Sequence, residues 1–273
     1  MLFKIQDMDF YFKYIRKIHY KMEKLKIYNG FGIVPTKNYI AAGYDFYLPL
    51  ITDESLFDMV VSAFAKSYKK TTEEIIEIMD VMNLYLSSIH DNYEFTKCDL
   101  LNITHLFLGL TPPDDVDWDE KPEEMSLNDA IDEFVTYRLL FDYCDGGDKG
   151  DILIPGIIVS EGDYLLFNSG IKINLPKDTV GIFFNKSGMG NKGYDTRACV
   201  VDEDYSGFVH LSVAFTKSVY YGQKLFCGDK VQQMVVLPLV KTEIEEVEPG
   251  VYDELMSDSQ RGSNGFGSSD IKH

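Results

Sequence analysis

Residues 200–207, VVDEDYSG, crowd three carboxylates (Asp202, Glu203, Asp204) against one phenol, Tyr205, ahead of a glycine that permits a tight reversal. Val200 and Val201 read as the end of a buried strand, and FVHLSVAF (208–215) alternates well enough for a second. Together they predict a β-hairpin with a polar tip. A carboxylate beside an aromatic ring on such a tip can set a base next to a flat substrate. Asp202 and Asp204 both qualify on residue type. Taken alone the stretch favours a plainer reading, a solvated acidic turn with a packing tyrosine, so the choice rests on its surroundings.

Four other short stretches combine polar side chains with glycine: AAGYDF (41–46), NKSGMG (185–190), CGDKVQQMVV (227–236) and RGSNGFGSS (261–269). Each is weak alone, and strands must carry most of them. Residues 22–50 have β texture, with LKIYNGFGIVP running into a turn and AAGYDFYLPL (41–50) forming a second strand bent at Gly43. From residue 52 to 148 the apolar residues recur at helical spacing. Helices are predicted over 54–70, over 71–90 with Thr71 or Thr72 as N-cap, over 98–110 ahead of Pro112 and Pro113, and over 126–144 from a Ser126 cap. Four amphipathic helices suffice to close a small bundle. From residue 150 short strands return, broken by Gly, Pro and Asn at sandwich-like intervals, and 227–240 reads as another buried strand.

The predicted organisation is a mainly β chain. A β-domain (22–51 and 149–256) is interrupted by a helical insertion (52–148), preceded by an N-terminal extension (1–21) and followed by a C-terminal arm (257–273). The arm is Ser, Gly and Asp with one Arg and one Phe, has little to bury, and is expected to be mobile in isolation.

With 273 residues, 45% of them hydrophobic, the chain can bury a sizeable core. A net charge of −18 argues against stable nucleic-acid binding, which needs clustered Lys and Arg. Any phosphate site must therefore be local, built from a few cations, backbone N–H groups or a metal ion. The four cysteines are far apart and fit reduced thiols in a cytoplasmic setting. The five histidines are scattered and read as surface or core residues rather than zinc ligands. No apolar run approaches the roughly eighteen residues of a membrane span. The aromatic, basic N-terminus lacks the apolar core and cleavage site of a signal peptide.

In their order, and in the spacing of the last four, the five stretches resemble the five motifs of the trimeric dUTP diphosphatase (dUTPase) family. SGIKINLPKDTVGIFFNKSG (169–188) looks like the family's strand pair leading into its second motif. The likeness spans nearly all of the chain except residues 1–21 and 52–148. It implies a jelly-roll β-domain, a homotrimer with active sites at subunit junctions, and Mg²⁺-dependent hydrolysis of dUTP to dUMP and pyrophosphate. Carried over residue by residue, it makes Asp202 the water-activating base and Tyr205 the ring that packs on deoxyribose, leaving no room for a 2′-hydroxyl. Lys186 and Ser187 match the second motif's cation and hydroxyl, with Gly188 letting backbone N–H groups approach phosphate. The family usually has Arg where this chain has Lys186, so the charge is kept but not the bidentate fork. Gln233 matches an amide near the phosphates. Asp45 matches the first-motif acid, whose role stays open between structural support and a place near the metal's waters. In the arm, Arg261 and Ser268 match the γ-phosphate contacts and Phe266 the ring that stacks on uracil. Gly262, Gly265 and Gly267 would let the chain wrap. Mg²⁺ is expected on substrate phosphates and waters, with no protein cage.

Two rivals are carried forward. One is the dCTP deaminase branch of the same fold, for which HLSVAF offers neither the glutamate nor the arginine at the usual place. The other is a regulatory or partner-binding module, with 52–148 as the docking surface for a protein partner; the insertion is far larger than a connection needs.

Overall fold

Alternating apolar residues between glycine, proline and asparagine breaks favour short paired strands, and these dominate the structure. A computed structural model of the chain describes residues 24–90, 93–111, 126–144 and 152–259. The N-terminal extension and the five predicted arm contacts (Arg261, Gly265, Phe266, Gly267 and Ser268) lie outside the described residues. The chain divides into two compact units, Met1–Leu239 and Val240–His273.

In the first unit every strand pairing among the described residues is antiparallel. Strand β1 (Lys26–Asn29) pairs with β7 (Ile171–Asn174). A second sheet runs in the order β10 (Val200–Val201), β8 (Thr179–Asn185), β13 (Lys230–Pro238), β2 (Tyr44–Tyr47). A third runs β3 (Leu110–Thr111), β6 (Tyr164–Asn168), β11 (His210–Phe215), β9 (Tyr194–Thr196), and a fourth runs β12 (Gln223–Phe226), β5 (Ile152–Val159), β4 (Leu139–Cys144).

Between β2 and β4 lie the helices. A 3₁₀ turn (Glu54–Leu56) leads into α1 (Phe57–Ser67), followed by α2 (Thr72–Ile89), α3 (Lys97–Gly109) and α4 (Leu127–Glu133). Helices α2 and α3 each begin with a capping box, Thr71 with Glu74 and Thr96 with Asp99. The reciprocal bonds satisfy backbone N–H groups that a first helical turn leaves unpaired.

The small bundle that the amphipathic pattern predicts does not close on itself; the helices share one core with the sheets. Helix α3 is buried from Cys98 to Leu106, and its Leu101, Ile103 and Leu106 share one apolar cluster with Phe46, Ile157, Phe167 and Leu211 of the sheets. A helix buried on every face, with Asp99, Asn102, Thr104 and His105 among its buried residues, needs cover on all sides, and the sheets supply what α1 and α2 cannot. Polar bonds set the register of this contact. Asn102 on α3 takes the N–H of Ile51 at 3.1 Å and gives to its carbonyl at 2.8 Å, and Asn168 on β6 donates to Ser67 Oγ at 2.7 Å.

Two other expectations are corrected. The helix predicted over 126–144 ends early: α4 passes into a π-turn (Phe134–Arg138), and residues 139–144 are strand β4, paired residue for residue with β5. Arg138 leaves the turn bonded to Asp163 at 2.6 Å, which anchors the chain beside β5, where extending it satisfies the β5 edge. The hairpin predicted around 202–207 also does not form. Val200 and Val201 pair with Ile182 and Gly181 of β8, whereas His210–Phe215 pairs with β6 and β9. The loop thus crosses from one sheet to another, because each flanking run finds a better-matched apolar edge than its sequence neighbour.

The second unit holds one helix among its described residues, which the sequence pattern does not predict: Pro249–Leu255, with Glu248 as N-cap and Pro249 in the first turn, where a missing N–H costs nothing. No helix among the described residues is long and apolar enough to cross a membrane.

Candidate functional site

The sheet β10–β8–β13–β2 organises the candidate residues in rows. Cross-strand pairing sets Asp45, Gln233 and Phe184 side by side on its outer face. At the end of β8 the chain turns at Lys186 into a short helix, α5 (Ser187–Lys192). Lys186 Nζ reaches back to both oxygens of Asp45, at 3.1 and 3.2 Å, and Lys230 Nζ meets the second oxygen at 3.0 Å. Burial alone would push the Asp45 pKa up, but hydrogen bonds from Lys230 and Lys186 and their charges outweigh it and hold the carboxyl below its ordinary value. The same contact raises the Lys230 ammonium above its own.

Gln233 donates from Nε2 to the Asn185 carbonyl at 3.0 Å. The Asn185 side chain meanwhile accepts from the N–H of Thr196 at 2.6 Å and gives to Asp195 at 3.1 Å, tying β8 to β9. Ser187 and Gly188 follow on the surface, and a Cβ added at Gly188 would touch nothing. One end of β8 therefore gathers Asp45, Lys186, Lys230, Ser187 and Gln233, a patch in which two cations paired to one carboxylate stand beside a hydroxyl and an amide, groups that suit phosphate oxygens.

Asp202 and Tyr205 occupy a second place. Their loop turns on a bond from the Tyr205 N–H to the Asp202 carbonyl at 3.1 Å, and Tyr205 Oη donates to the Phe208 carbonyl at 2.7 Å. The ring thus lies back over Gly207, where any Cβ would sit 2.5 Å from the phenol oxygen. Beside it is a cavity of 240 Å³ with an apolar lining of Phe183, Val201 and Val209, and with Asp202, Tyr205 and His210 around it. Asp202 itself is exposed. A carboxylate at the mouth of an apolar cavity can hold a water against a bound molecule and take its proton.

The two places are well apart. Val201 pairs with Gly181, so Asp202 comes level with Val180, and Lys186 lies six residues further along β8. At about 3.3 Å per residue that separates them by roughly 20 Å within one chain.

Three residues at these places have no role assigned by the motif reading: Lys230 and Asn185, which lie inside motif stretches, and His210, which lies outside them. Lys230 and Gln233 share a face because a bulge between Lys230 and Gln232 breaks the alternation, leaving Val231 and Gln232 both buried. Strict alternation would have placed Lys230 on the opposite face from Gln233. His210 carried a signal, as a polar residue opening an alternating strand, but nothing to distinguish a cavity position from a surface one.

Comparison with known proteins gives a consistent result. The dUTPase family model matches residues 154–270. A deoxyuridine 5′-triphosphate nucleotidohydrolase from Alkaliphilus metalliredigens is 34% identical over 139 residues, covering 48% of this chain and 89% of that protein. One of the same name from Clostridium tetani is 34% identical over 117 residues, covering 41% and 73%. Among solved structures, the dUTPase from phage phi11 of S. aureus matches 34% of this chain and 77% of its own at 16% identity, with a TM-score of 0.31.

Proposed function

The chain belongs to the dUTPase family, and on that premise we propose that it hydrolyses dUTP to dUMP and pyrophosphate, with Asp202 as general base for water attack on the α-phosphorus. The observation that carries this reading is the pairing of two incomplete places at opposite ends of β8: a cavity with a carboxylate at its mouth at one end, and a patch with two lysines at the other.

Each residue then has a task its surroundings support. Asp202 takes the proton of the attacking water, a step that positioned acids and bases accelerate by about 10²–10⁴-fold. Tyr205, pinned through Phe208, presents a fixed ring against the sugar, and a fixed ring excludes a 2′-hydroxyl by steric clash. Lys186, with Ser187 and Gln233 beside it, contacts the phosphates; as a lysine it contributes charge without a fork. Arg261, Gly265, Phe266, Gly267 and Ser268 would close over the nucleotide from the arm. Closure excludes water and aligns the triphosphate.

Mg²⁺ is part of the proposal as a companion of the substrate. Both Asp45 oxygens are taken by ammonium groups, and the described residues contain no group of three or more His, Cys, Asp or Glu placed to hold a metal ion. Such a donor set fits an ion that keeps waters and phosphate oxygens as its ligands. When bound, it would neutralise triphosphate charge.

We further propose a homotrimer. The outer face of the β8 sheet carries apolar rows, Val200–Ile182–Val235 and Val180–Leu237, with Val200 62% exposed. Apolar rows of this kind suit burial between subunits. A neighbouring chain could also bring its Asp202 loop to the Lys186 patch, which roughly 20 Å of strand prevents within one chain.

The test is release of pyrophosphate with Mg²⁺ from dUTP, dTTP, dCTP and UTP. Turnover of dUTP well above the other three is expected, and Asp202→Asn should lower it by at least about 10²-fold while sparing nucleotide binding. Ammonia from dCTP would point instead to the deaminase branch. Unchanged turnover by Asp202→Asn would move the base to another residue.

A further inference from the structure

Strand β4 forms the edge of its sheet: it pairs with β5 on one side, and among the described residues nothing pairs with the other. Which backbone groups face outward follows from Pro155 of β5, which lies opposite Phe141. The Pro155 carbonyl accepts from the Cys227 N–H at 3.1 Å, on the β12 side. In an antiparallel pair alternate residues turn their N–H and C=O towards the partner and away from it, so Leu139, Phe141 and Tyr143 present theirs to the open edge. Two contacts agree. The Leu139 N–H is bonded to the Phe134 carbonyl of the π-turn, and the Tyr143 N–H to Oδ1 of Asp142 at 2.9 Å. The Phe141 N–H and the carbonyls of all three residues are left without a partner among the described residues.

The same three residues share one face of the strand. There the Phe141 ring lies 5.7 Å from His90 and 5.8 Å from Phe95, and the Tyr143 ring is 61% exposed. The opposite face carries Asp142, exposed and in no ion pair among the described residues. Arg138, just before the strand, is already bonded to Asp163. The surroundings share the sign of Asp142. Residues 52–148 hold 23 of the chain's 44 acidic residues and 6 of its 26 basic ones, and so carry nearly all of the net charge of −18.

We propose that the β4 edge is a docking strand for another protein, taking an extended segment in which basic and apolar residues alternate. The segment's backbone adds to Phe141 and Tyr143 as a further strand of the β12–β5–β4 sheet. Its apolar residues lie beside Phe141 and Tyr143, and its Lys or Arg beside Asp142. Asp142 has two parts in this. In the free chain its carboxylate covers the Tyr143 N–H, which blunts the edge against strands with no charge to offer. A cation drawn to that carboxylate releases the N–H to a carbonyl of the incoming strand. An acidic edge also repels a second copy of itself and selects a basic partner. The inference goes beyond the dUTP reading and does not depend on it, since β4 contributes to neither place at the ends of β8.

The test uses the full chain and labelled hexapeptides: alternating Lys-Val, alternating Glu-Val, a block of Lys followed by a block of Val, and Lys-Val with its valines N-methylated. Fluorescence anisotropy measures binding, and NMR follows amide exchange. The alternating Lys-Val peptide should bind tighter than about 100 μM and the others at least about tenfold more weakly. In the bound parent chain the Phe141 and Tyr143 amides should exchange at least about tenfold more slowly, while those of Leu140 and Asp142, already turned to β5, change little. Asp142→Lys should reverse the preference, losing the Lys-Val peptide and gaining the Glu-Val one. The exchange data on the parent decide the matter even if that variant does not fold.

Equal binding of the block or N-methylated peptide would reduce the contact to charge attraction and overturn the inference. An unaltered preference in Asp142→Lys, or a Lys-Val peptide that does not bind, would overturn it too. Slow exchange of Phe141 and Tyr143 in the free chain would have the same consequence, because the edge would already be covered. Light scattering then tells a second copy, which makes the oligomer grow with concentration, from another segment of this chain.

Discussion

Asp45 is held between two ammonium groups, and its position suggests what it does. Ion pairs as exposed as Lys186–Asp45 and Lys230–Asp45 contribute little to folding stability. Their effect is aim: each lysine keeps one place on the face where Gln233 also lies. Aim matters for phosphoryl chemistry, where a small misplacement of a binding group costs rate. Asp45→Asn is therefore expected to lower kcat/KM for dUTP about tenfold and to leave the melting temperature nearly unchanged. Pyrophosphate release and thermal unfolding of one preparation check it; a large drop in melting temperature with activity intact would make Asp45 a structural brace. Asp45, Lys186 and Gln233 were legible because residue type and motif spacing survive in the linear chain. Lys230 was not, since a one-residue bulge decides which way it faces and no residue type announces that bulge.

Among the elements, the contact of helices with sheets centres on His105. The ring is fully buried in α3, stacked on Phe64 at 5.1 Å and tilted against Phe167 at 5.3 Å, with Tyr68 Oη 3.2 Å from Nδ1. Its Nε2 has no protein partner. Burial, aided by the charge of His210, drops its pKa from 6.5 to about 3. The folded ring is thus neutral where an unfolded one takes up a proton, so the folded state is favoured above pH 6.5 and loses ground as pH falls from 6.5 towards 3. His105→Phe, which keeps an aromatic ring among Phe64 and Phe167, should flatten that part of the stability curve. Melting temperatures between pH 4 and 8, set as about the working range of His linkage, check it; an unaltered slope would place the acid sensitivity elsewhere. Helix α2 was readable from its threonine cap and apolar period, and α3 from its apolar period ahead of Pro112 and Pro113; the Thr96 cap of α3 was not. Strand β4 was not, because LLFDYC continues the apolar spacing of α4 and only the π-turn, set by Arg138 meeting Asp163, redirects it. The 202–207 loop was misread for a related reason: alternation on both sides marks two strands but not which partner each chooses.

For the whole molecule the question is how an acidic chain, at −18, handles a polyanionic substrate. The answer suggested by the structure is locality, with Lys186 and Lys230 gathered at one end of β8 and Asp202 kept at the other, roughly 20 Å away. Separating Asp202, the proposed base, from the cations also avoids pairing them uselessly within one chain, since Asp45 alone occupies both lysines. The arrangement makes a prediction about assembly. Chains carrying Asp202→Asn and chains carrying Lys186→Ala should each be nearly inactive alone. Refolded together in equal amounts, they should recover about a quarter of parental activity, the share of sites in which one subunit supplies an intact Asp202 and another an intact Lys186 under random association. Pyrophosphate release from the mixture, with light scattering to follow oligomer size, measures it. Recovery near zero in a fully mixed oligomer would mean that each chain supplies both residues to its own site, and the long way along β8 would have to be closed by movement of the 202–207 loop within one subunit.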